Sequence, residues 1–175
     1  MSMSYAQMVE GCRKHDPKAQ RALYDEVAPM AMGVCTRYSS SADEARDLLQ
    51  DGLIKVFEHI STLRDPQKLR SWTYNIMVNT CIQHHRKTRH LMLDEDMDTY
   101  TDDDNSLPYT MDEIVGAMQT LTAAQRTVFN LCCIEGMEFE AVAQKLRCSP
   151  VNVRAQLSKA RSRMRKHLEK INSKN

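Results

Sequence analysis

The chain has 175 residues, a formal net charge of +1 and 42% hydrophobic residues, a length that fits one ordinary domain or two small ones. With only 5 Gly and 5 Pro against 12 Met, its composition favours helices over sheets. The six cysteines form no CxxC pair, the start MSMSYAQMVEGCRK lacks the apolar core of a signal peptide and no apolar run is long enough to cross a membrane. The sequence therefore predicts a cytoplasmic protein with reduced thiols and no membrane insertion.

Apolar residues recur at helical spacing over Tyr5–Tyr38, with a break at HDPKAQ where Asp16 is the predicted cap and Pro17 the first residue of the next helix. The clearest helix follows in SSSADEARDLLQDGLIKVFEHI, where Ser41 and Glu44 predict a capping box. Its apolar stripe predicts one buried face, made of Ala45, Leu48, Leu49, Leu53, Val56, Phe57 and Ile60. The opposite face is polar and carries Asp47, Gln50, Asp51, Lys55 and Glu58.

A loop, STLRDPQKLRS, leads to WTYNIMVNTCIQHHRKTRH, which has helical spacing at Trp72 and Ile76 and a basic end. The next stretch, LDEDMDTYTDDDNSLPYTMDE, has almost no apolar periodicity and an excess of carboxylates, which predicts a linker that cannot bury itself. The sequence therefore predicts an all-α fold with two small helical domains, at residues 1–92 and 111–175, joined by an acidic flexible linker at residues 93–110.

The second domain is predicted to begin with helices Met111–Thr120 and Thr122–Ile134 and to continue with two helices around the short turn RCS. So short a turn between two apolar-striped helices predicts a helix-turn-helix. The N-terminus of its second helix, at Ser149 and Pro150, can bind a phosphate. Side chains suited to base edges and phosphates follow, namely Asn152, Arg154, Ala155, Ser158, Lys159 and Arg161. On spacing alone, a helical hairpin with a solvated basic face is the alternative.

The segment LTAAQRTVFNLCCIEGMEFEAVAQKLRCSPVNVRAQLSKARSRMRKHL closely resembles the C-terminal promoter-binding domain of sigma-70-like transcription initiation factors. ARDLLQDGLIKVFEHI resembles the polymerase-binding helix of their extracytoplasmic-function group, and LRSWTYNIMVNTCIQHHRKTR resembles their promoter-melting segment. The chain departs from the common pattern of the family at Val151-Asn152, Gln156 and Lys159, which bears on the promoter sequence that it reads.

The resemblance implies a bacterial initiation factor that binds core RNA polymerase, directs it to promoters and promotes DNA melting, with an anti-sigma factor as a further partner. Asp47, Gln50 and Asp51 would bind the clamp helices of the polymerase β′ subunit, and the β flap would be a second contact. The helix-turn-helix would read the minus-thirty-five element. The first domain would read and melt the minus-ten element through Leu63, Arg64, Lys68, Arg70, Trp72, Asn79, Arg86 and Lys87.

Within the minus-ten set, Leu63 and Asn79 would offer a pocket to a flipped base, and the cations would contact phosphates. Trp72 could stack on a base, although a single Trp at helical spacing is also typical of a core.

Other chemistries are less well supported by the sequence. Cys81, His84 and His85 have helical spacing for a metal, but no fourth ligand is evident on their face, so neither a metal nor a cofactor is expected. DEDMDTYTDDDN lacks the Gly and the final carboxylate of a calcium loop, at Thr99 and Asn105. An enzyme is not expected, because these carboxylates have no rigid scaffold. A stand-alone helix-turn-helix regulator that binds operator DNA without polymerase stays open.

Overall fold

Helices make up both parts of the chain that the computed structural model describes, residues 3–87 and 109–173. In the first part they are α1 (Tyr5–Arg13), α2 (Pro17–Tyr38), α3 (Ala42–His59) and α4 (Leu69–Lys87). In the second they are α5 (Met111–Gln119), α6 (Ala123–Phe129), α7 (Phe139–Leu146) and α8 (Pro150–Asn172). Neither part contains a strand, so the all-α prediction is confirmed. No helix in these ranges combines the length and apolar composition of a bilayer-crossing segment.

The described residues divide into two compact units, in agreement with the predicted pair of helical domains. The first unit comprises the residues up to Thr36 together with Ser41–His84. The second comprises Arg37–Ser40 together with the described residues from His85 onward. Apart from its last two residues, the acidic linker predicted at residues 93–110 lies outside the described residues, and the domain boundaries stay a prediction.

The first unit is built around one apolar core to which α1, α2, α3 and α4 all contribute. α1 begins at a reciprocal cap, in which the Ser4 N–H donates to Gln7 Oε1 at 2.9 Å and the Gln7 N–H donates to Ser4 Oγ at 3.3 Å. In the turn to α2, His15 has φ 57°, and the Lys18 N–H donates to Asp16 Oδ1 at 3.2 Å, as the predicted cap requires. The buried core residues are Met8, Val9, Cys12, Ala19, Leu23, Val27, Leu53, Val56, Ile60, Leu63 and Leu69.

α3 divides into a buried face and an exposed face, as its sequence predicts. The Glu44 N–H donates to Ser41 Oγ at 3.2 Å, which is one half of the predicted capping box. The Glu44 carboxylate lies 3.7 Å from His84 Nε2 on α4. The predicted apolar stripe is buried or half-buried along its whole length, at Ala45, Leu48, Leu49, Leu53, Val56, Phe57 and Ile60.

The second unit is organised around α8, which packs against α5, α6 and α7. Reciprocal capping boxes start two of these partners: Thr110 with Glu113 at α5, and Thr122 with Gln125 at α6, the latter as predicted. The core between α5 and α8 consists of Ala117, Met118, Leu121, Ala160, Met164 and Leu168.

The end of α6 is a single π-helical turn, Asn130–Ile134. In it the Glu135 N–H donates to the Asn130 carbonyl at 2.9 Å, so the bond spans five residues instead of four. Gly136 follows with φ 66°, a backbone conformation that glycine adopts without strain. The sequence predicts one helix over Thr122–Ile134, and the structure differs from this only in the wider last turn, which apolar periodicity does not encode.

Gly11, at the end of α1, provides a test of how closely α1 approaches α2. A β-carbon at this position would overlap the β-carbon of Ala19, which is fully buried and has no flexible side chain to move aside. Gly11→Ala is therefore expected to lower the free energy of unfolding by about 2 kcal/mol, measured by urea unfolding of the full chain followed by circular dichroism.

Gly33→Ala in α2 is the matched control, because a β-carbon there meets nothing within 4 Å. This change is expected to stabilise the chain by about 0.5–1 kcal/mol, since alanine restricts the unfolded chain and favours a helix. If both substitutions shifted stability in the same direction, the close approach at Gly11 would not be a constraint on the fold.

Candidate nucleic-acid interface

The turn between α7 and α8 is fixed by backbone geometry and by one side-chain cap. Arg147 ends α7 with φ 57° and ψ 47°, in the left-handed region, and the Cys148 N–H donates back to the Ala143 carbonyl at 3.0 Å. Ser149 then caps α8 by accepting a hydrogen bond from the Asn152 N–H at 3.2 Å. The predicted helix-turn-helix is thereby confirmed, with its turn at Arg147, Cys148 and Ser149.

Packing of α8 determines which of its side chains remain outside. Val153, Gln156, Leu157, Ala160 and Met164 are buried, and the residues between them are exposed or half-buried. The Arg154 guanidinium carbon lies 5.3 Å from the centre of the Phe139 ring on α7, a cation–π contact that links the outer faces of the two helices.

The predicted DNA-binding residues on α8 differ in accessibility. Ser149, Arg154 and Arg161 are exposed, while Pro150, Asn152, Ala155, Ser158 and Lys159 are half-buried. Asn152 differs from the others, because its Oδ1 atom is buried and has no hydrogen-bond partner among the described residues. This residue also lines a small cavity beneath the turn with Leu146, Cys148 and Gln156. Its amide oxygen therefore does not contribute to the outer surface of α8.

The polar face of α3 forms a second outward surface. Asp47, Gln50 and Asp51 are all exposed, as predicted. Ile54 lies on the same face, one helical turn after Gln50, and is 48% exposed. Lys55 contributes to a different contact, since its Nζ donates to Thr80 Oγ1 and to Gln83 Oε1 on α4, each at 3.2 Å. We define the α3 face as Asp47, Gln50, Asp51 and Ile54.

The loop between α3 and α4 is held by α1. Leu63, predicted to form the wall of a base pocket, is only 4% exposed and belongs to the core. Its carbonyl accepts a hydrogen bond from Arg13 Nη2, so the backbone of the loop is fixed as well. Arg64 is exposed before a short turn, Pro66–Lys68, and Lys68 is exposed at the end of that turn. The loop thus presents cations outward while its leucine anchors it.

Along α4, the predicted minus-ten residues are placed in three ways. Asn79 and Arg86 are exposed, and Asn75, which the sequence analysis did not select, is exposed one turn before Asn79. Trp72 is half-buried and packs against the core of the first unit. Lys87 is the last residue of α4, and its side chain lies outside the described part.

Arg70 is exposed but already has an acidic neighbour. Its Nη1 donates to Glu26 Oε1 on α2 at 3.0 Å, and the same oxygen accepts a hydrogen bond from the Tyr5 hydroxyl at 2.7 Å. A phosphate bound at Arg70 would therefore share the guanidinium with Glu26, whereas Arg64 and Lys68 form no ion pair with a carboxylate within the described residues.

The residues considered for a metal interact with three different groups. Cys81 is buried and hydrogen-bonds with Cys35, and this bond together with burial raises the pKa of the Cys81 thiol. His84 lies beside Glu44, and His85 Nε2 is 2.8 Å from the Tyr38 carbonyl oxygen. Among the described residues, no group of three potential ligands is placed to hold a metal ion.

One buried charge in the second unit was not predicted. Arg126, 2% exposed, donates through Nε to the Met118 carbonyl at 3.0 Å and through Nη2 to the carbonyls of Leu121 at 2.7 Å and Gln119 at 3.3 Å. These carbonyls belong to the end of α5 and the residues after it, where helix geometry leaves acceptors without partners. Arg126 therefore joins α6 to the C-terminus of α5.

Two family models match the chain in the order of its two domains. The model for sigma-70 region 2 matches residues 23–91, and the model for sigma-70 region 4 matches residues 111–164. The ECF RNA polymerase sigma-E factor of Haemophilus influenzae is 26% identical over 180 residues, covering 94% of this chain and 95% of that protein. The RNA polymerase sigma-H factor of Pseudomonas aeruginosa is also 26% identical, with 94% of each chain covered.

A solved structure with the same fold is the sigma factor RpoE of Bartonella quintana, crystallised in complex with the anti-sigma factor NepR. It aligns with a TM-score of 0.51 and 24% identity, over 83% of this chain and 94% of that one. At this identity, the match supports the fold.

Removal of the Arg126 side chain tests its structural role. Arg126→Met keeps the unbranched apolar part of the side chain but leaves the three carbonyl oxygens at the end of α5 without this donor, so it is expected to destabilise the chain by about 3 kcal/mol. Arg163→Met on the exposed side of α8 removes the same charge and should change stability by less than about 0.5 kcal/mol. Differential scanning calorimetry of the full chain measures both effects. If Arg126→Met lost no more stability than Arg163→Met, the hydrogen bonds of Arg126 would not be what stabilises this part of the fold.

Proposed function

Because the chain belongs to the extracytoplasmic-function group of sigma-70-like factors, and so binds core RNA polymerase, directs it to promoters and promotes DNA melting, we propose a division of these tasks among its described surfaces. Members of this family are transcription factors without catalytic activity of their own. The observation that carries the proposal is that α3, α4 and α8 each have an outward face whose orientation is fixed by buried residues on the opposite side of the same helix.

The α3 face is the proposed docking surface for polymerase. Its carboxylates and amide suit the basic and polar side chains of a partner helix, and the resemblance assigns that partner as the clamp helices of β′. Ile54 adds an apolar side chain to this polar surface, and a contact of this kind is where binding energy concentrates once water is excluded. The polar side chains around Ile54, namely Asp47, Gln50 and Asp51, then orient the partner helix.

The exposed side of α8 is the proposed minus-thirty-five surface. A recognition helix enters the major groove with its N-terminal residues at the base edges. Arg154 and Arg161 are exposed there and can reach bases or phosphates, and Ala155, Ser158 and Lys159 lie between them. Because the Asn152 amide oxygen is buried, only the remaining atoms of this side chain can contribute to DNA binding.

The loop before α4 and the exposed side of α4 are the proposed minus-ten surface. Arg64, Lys68 and Arg86 are exposed cations suited to phosphates, which fix the position of DNA without specifying its sequence. Asn75 and Asn79 present amides to a separated strand. Since Leu63 is buried, the loop contributes to the proposed base pocket through its backbone. Trp72 packs against the core but is only half-buried, and its accessible part stays a predicted stacking surface.

Partners beyond polymerase and DNA are inferred from the group. The related Bartonella quintana sigma factor forms a complex with an anti-sigma factor, and we infer that an inhibitor of the same class occludes the outward surfaces of this chain. The proposal also includes two domains, at residues 1–92 and 111–175, joined by the intervening linker. The chain is proposed to act in the cytoplasm.

Reconstituted transcription provides the test of the whole assignment. Cognate core polymerase with the full chain, on a library of promoters, is expected to initiate at a subset of sequences at which core polymerase alone is inactive. A chain that bound duplex DNA but left initiation unchanged would instead behave as a stand-alone regulator, and the assignment would fail.

A pair of substitutions separates the two proposed surfaces. Ile54→Ala is expected to weaken binding of the chain to core polymerase about tenfold, because it removes the apolar contact of the α3 face. Arg154→Ala should leave that affinity unchanged and lower binding of the assembled holoenzyme to promoter DNA. Fluorescence titration with core polymerase, followed by promoter binding at saturating factor, measures each step. Both residues are exposed, so both variants should remain folded; equal effects on the first step would refute the division.

A further inference from the structure

Val151, the second residue of α8, is an exposed aliphatic side chain at the end of the helix that meets DNA. It is 61% exposed, whereas Val153, two residues later, is completely buried. Eight other valines of the chain are buried in its two units, at Val9, Val27, Val34, Val56, Val78, Val128, Val142 and Val153. The exposure of Val151 is thus a local feature of the first turn of α8.

The polar groups beside Val151 are partly occupied by contacts within the protein. Ser149 Oγ accepts a hydrogen bond from the Asn152 N–H, and the Asn152 amide oxygen is buried. Arg154 lies over the Phe139 ring, and Pro150 has no N–H to donate. The surface at the first turn is therefore more apolar than the sequence suggests.

This apolar surface continues along the helix. Ala155 is four residues after Val151, so both lie on the same side of α8, and Ala155 is half-buried. Between them they form a short aliphatic edge that ends at Ser158.

One base has a matching apolar group in the major groove. Thymine carries a C5-methyl group there, while the edges of the other bases present hydrogen-bond donors and acceptors. Because the N-terminal residues of a recognition helix lie nearest to the base edges, an exposed valine at this position suits a thymine. We propose that Val151 is a specificity-determining residue that contacts a thymine methyl group in the minus-thirty-five element. This inference rests on the proposed function of α8.

The experiment combines a change in the protein with the removal of one methyl group from DNA. Holoenzymes made with the full wild-type chain or with Val151→Ala are selected on promoters randomised across the minus-thirty-five element. The wild type is expected to prefer thymine at one position at least, and Val151→Ala to lose that preference. The thymine is then replaced by uracil, which lacks only the methyl group. Wild-type binding should fall about fourfold, the factor for losing one buried methyl-sized group, and Val151→Ala binding less than twofold.

Met111→Ala is the matched control, since Met111 is another exposed apolar residue of the second unit, 71% exposed, and lies outside α8. It should keep the wild-type base preference and the wild-type response to uracil.

Three other outcomes would overturn the inference, and they differ in whether the proposed function of α8 fails with it. If wild-type holoenzyme bound uracil and thymine promoters equally, Val151 would not read a methyl group, while the role of α8 would be unaffected. If Val151→Ala lowered binding to core polymerase with base preference intact, the residue would face a protein partner. If neither holoenzyme preferred any minus-thirty-five sequence, the proposed function of α8 would fail as well.

Discussion

Each of the two helices proposed as interfaces, α3 and α8, must bury one face in a small core and keep the opposite face available for a partner. α3 meets this requirement with an apolar stripe that includes Leu48, Leu53 and Val56, and α8 with one that includes Val153 and Leu157. The core thereby sets the rotation of each helix about its axis, and this rotation decides which side chains a partner meets. This rotation leaves Ile54 on α3 and Val151 on α8 exposed, where a partner that covered them would gain the free energy of burying their apolar surface.

Helix caps and side-chain contacts fix how the helices within each unit are placed against one another. Arg147 and Ser149 fix the angle at which α8 leaves α7, and Arg126 holds the end of α5 against α6. In the first unit, Arg13 holds the carbonyl of Leu63, and Lys55 links α3 to α4. Apart from Ser149 and the backbone of the loop at Leu63, these groups lie outside the proposed surfaces, yet each determines where a surface residue lies. Substitutions at such positions would alter promoter recognition through geometry, without removing a contact to DNA.

Much of the fold follows from local patterns, and these are the features that the sequence predicts well. The caps at Asp16, Ser41 and Thr122 depend on hydrogen bonds between residues two or three positions apart. The apolar stripe on α3 follows directly from helical periodicity. The features that it misses depend on contacts between distant residues. Arg126 is buried because carbonyls at the end of another helix accept its hydrogen bonds, and nothing in the residues beside it signals this. Leu63 is buried because α1 folds over the loop. The exposure of Ile54 did leave a signal, an isoleucine on a face that is otherwise polar.

The π turn at the end of α6 takes up one extra residue while the chain that follows keeps its direction. Asn130–Ile134 accommodates one residue more per turn than a regular helix, and Gly136 then redirects the chain towards α7. Deletion of a single residue here would convert the π turn into a regular α-helical turn and leave the direction of the following chain nearly unchanged. Related sequences that lack one residue in this stretch should therefore end α6 as a regular helix, and an alignment that places the gap elsewhere would misassign the recognition residues.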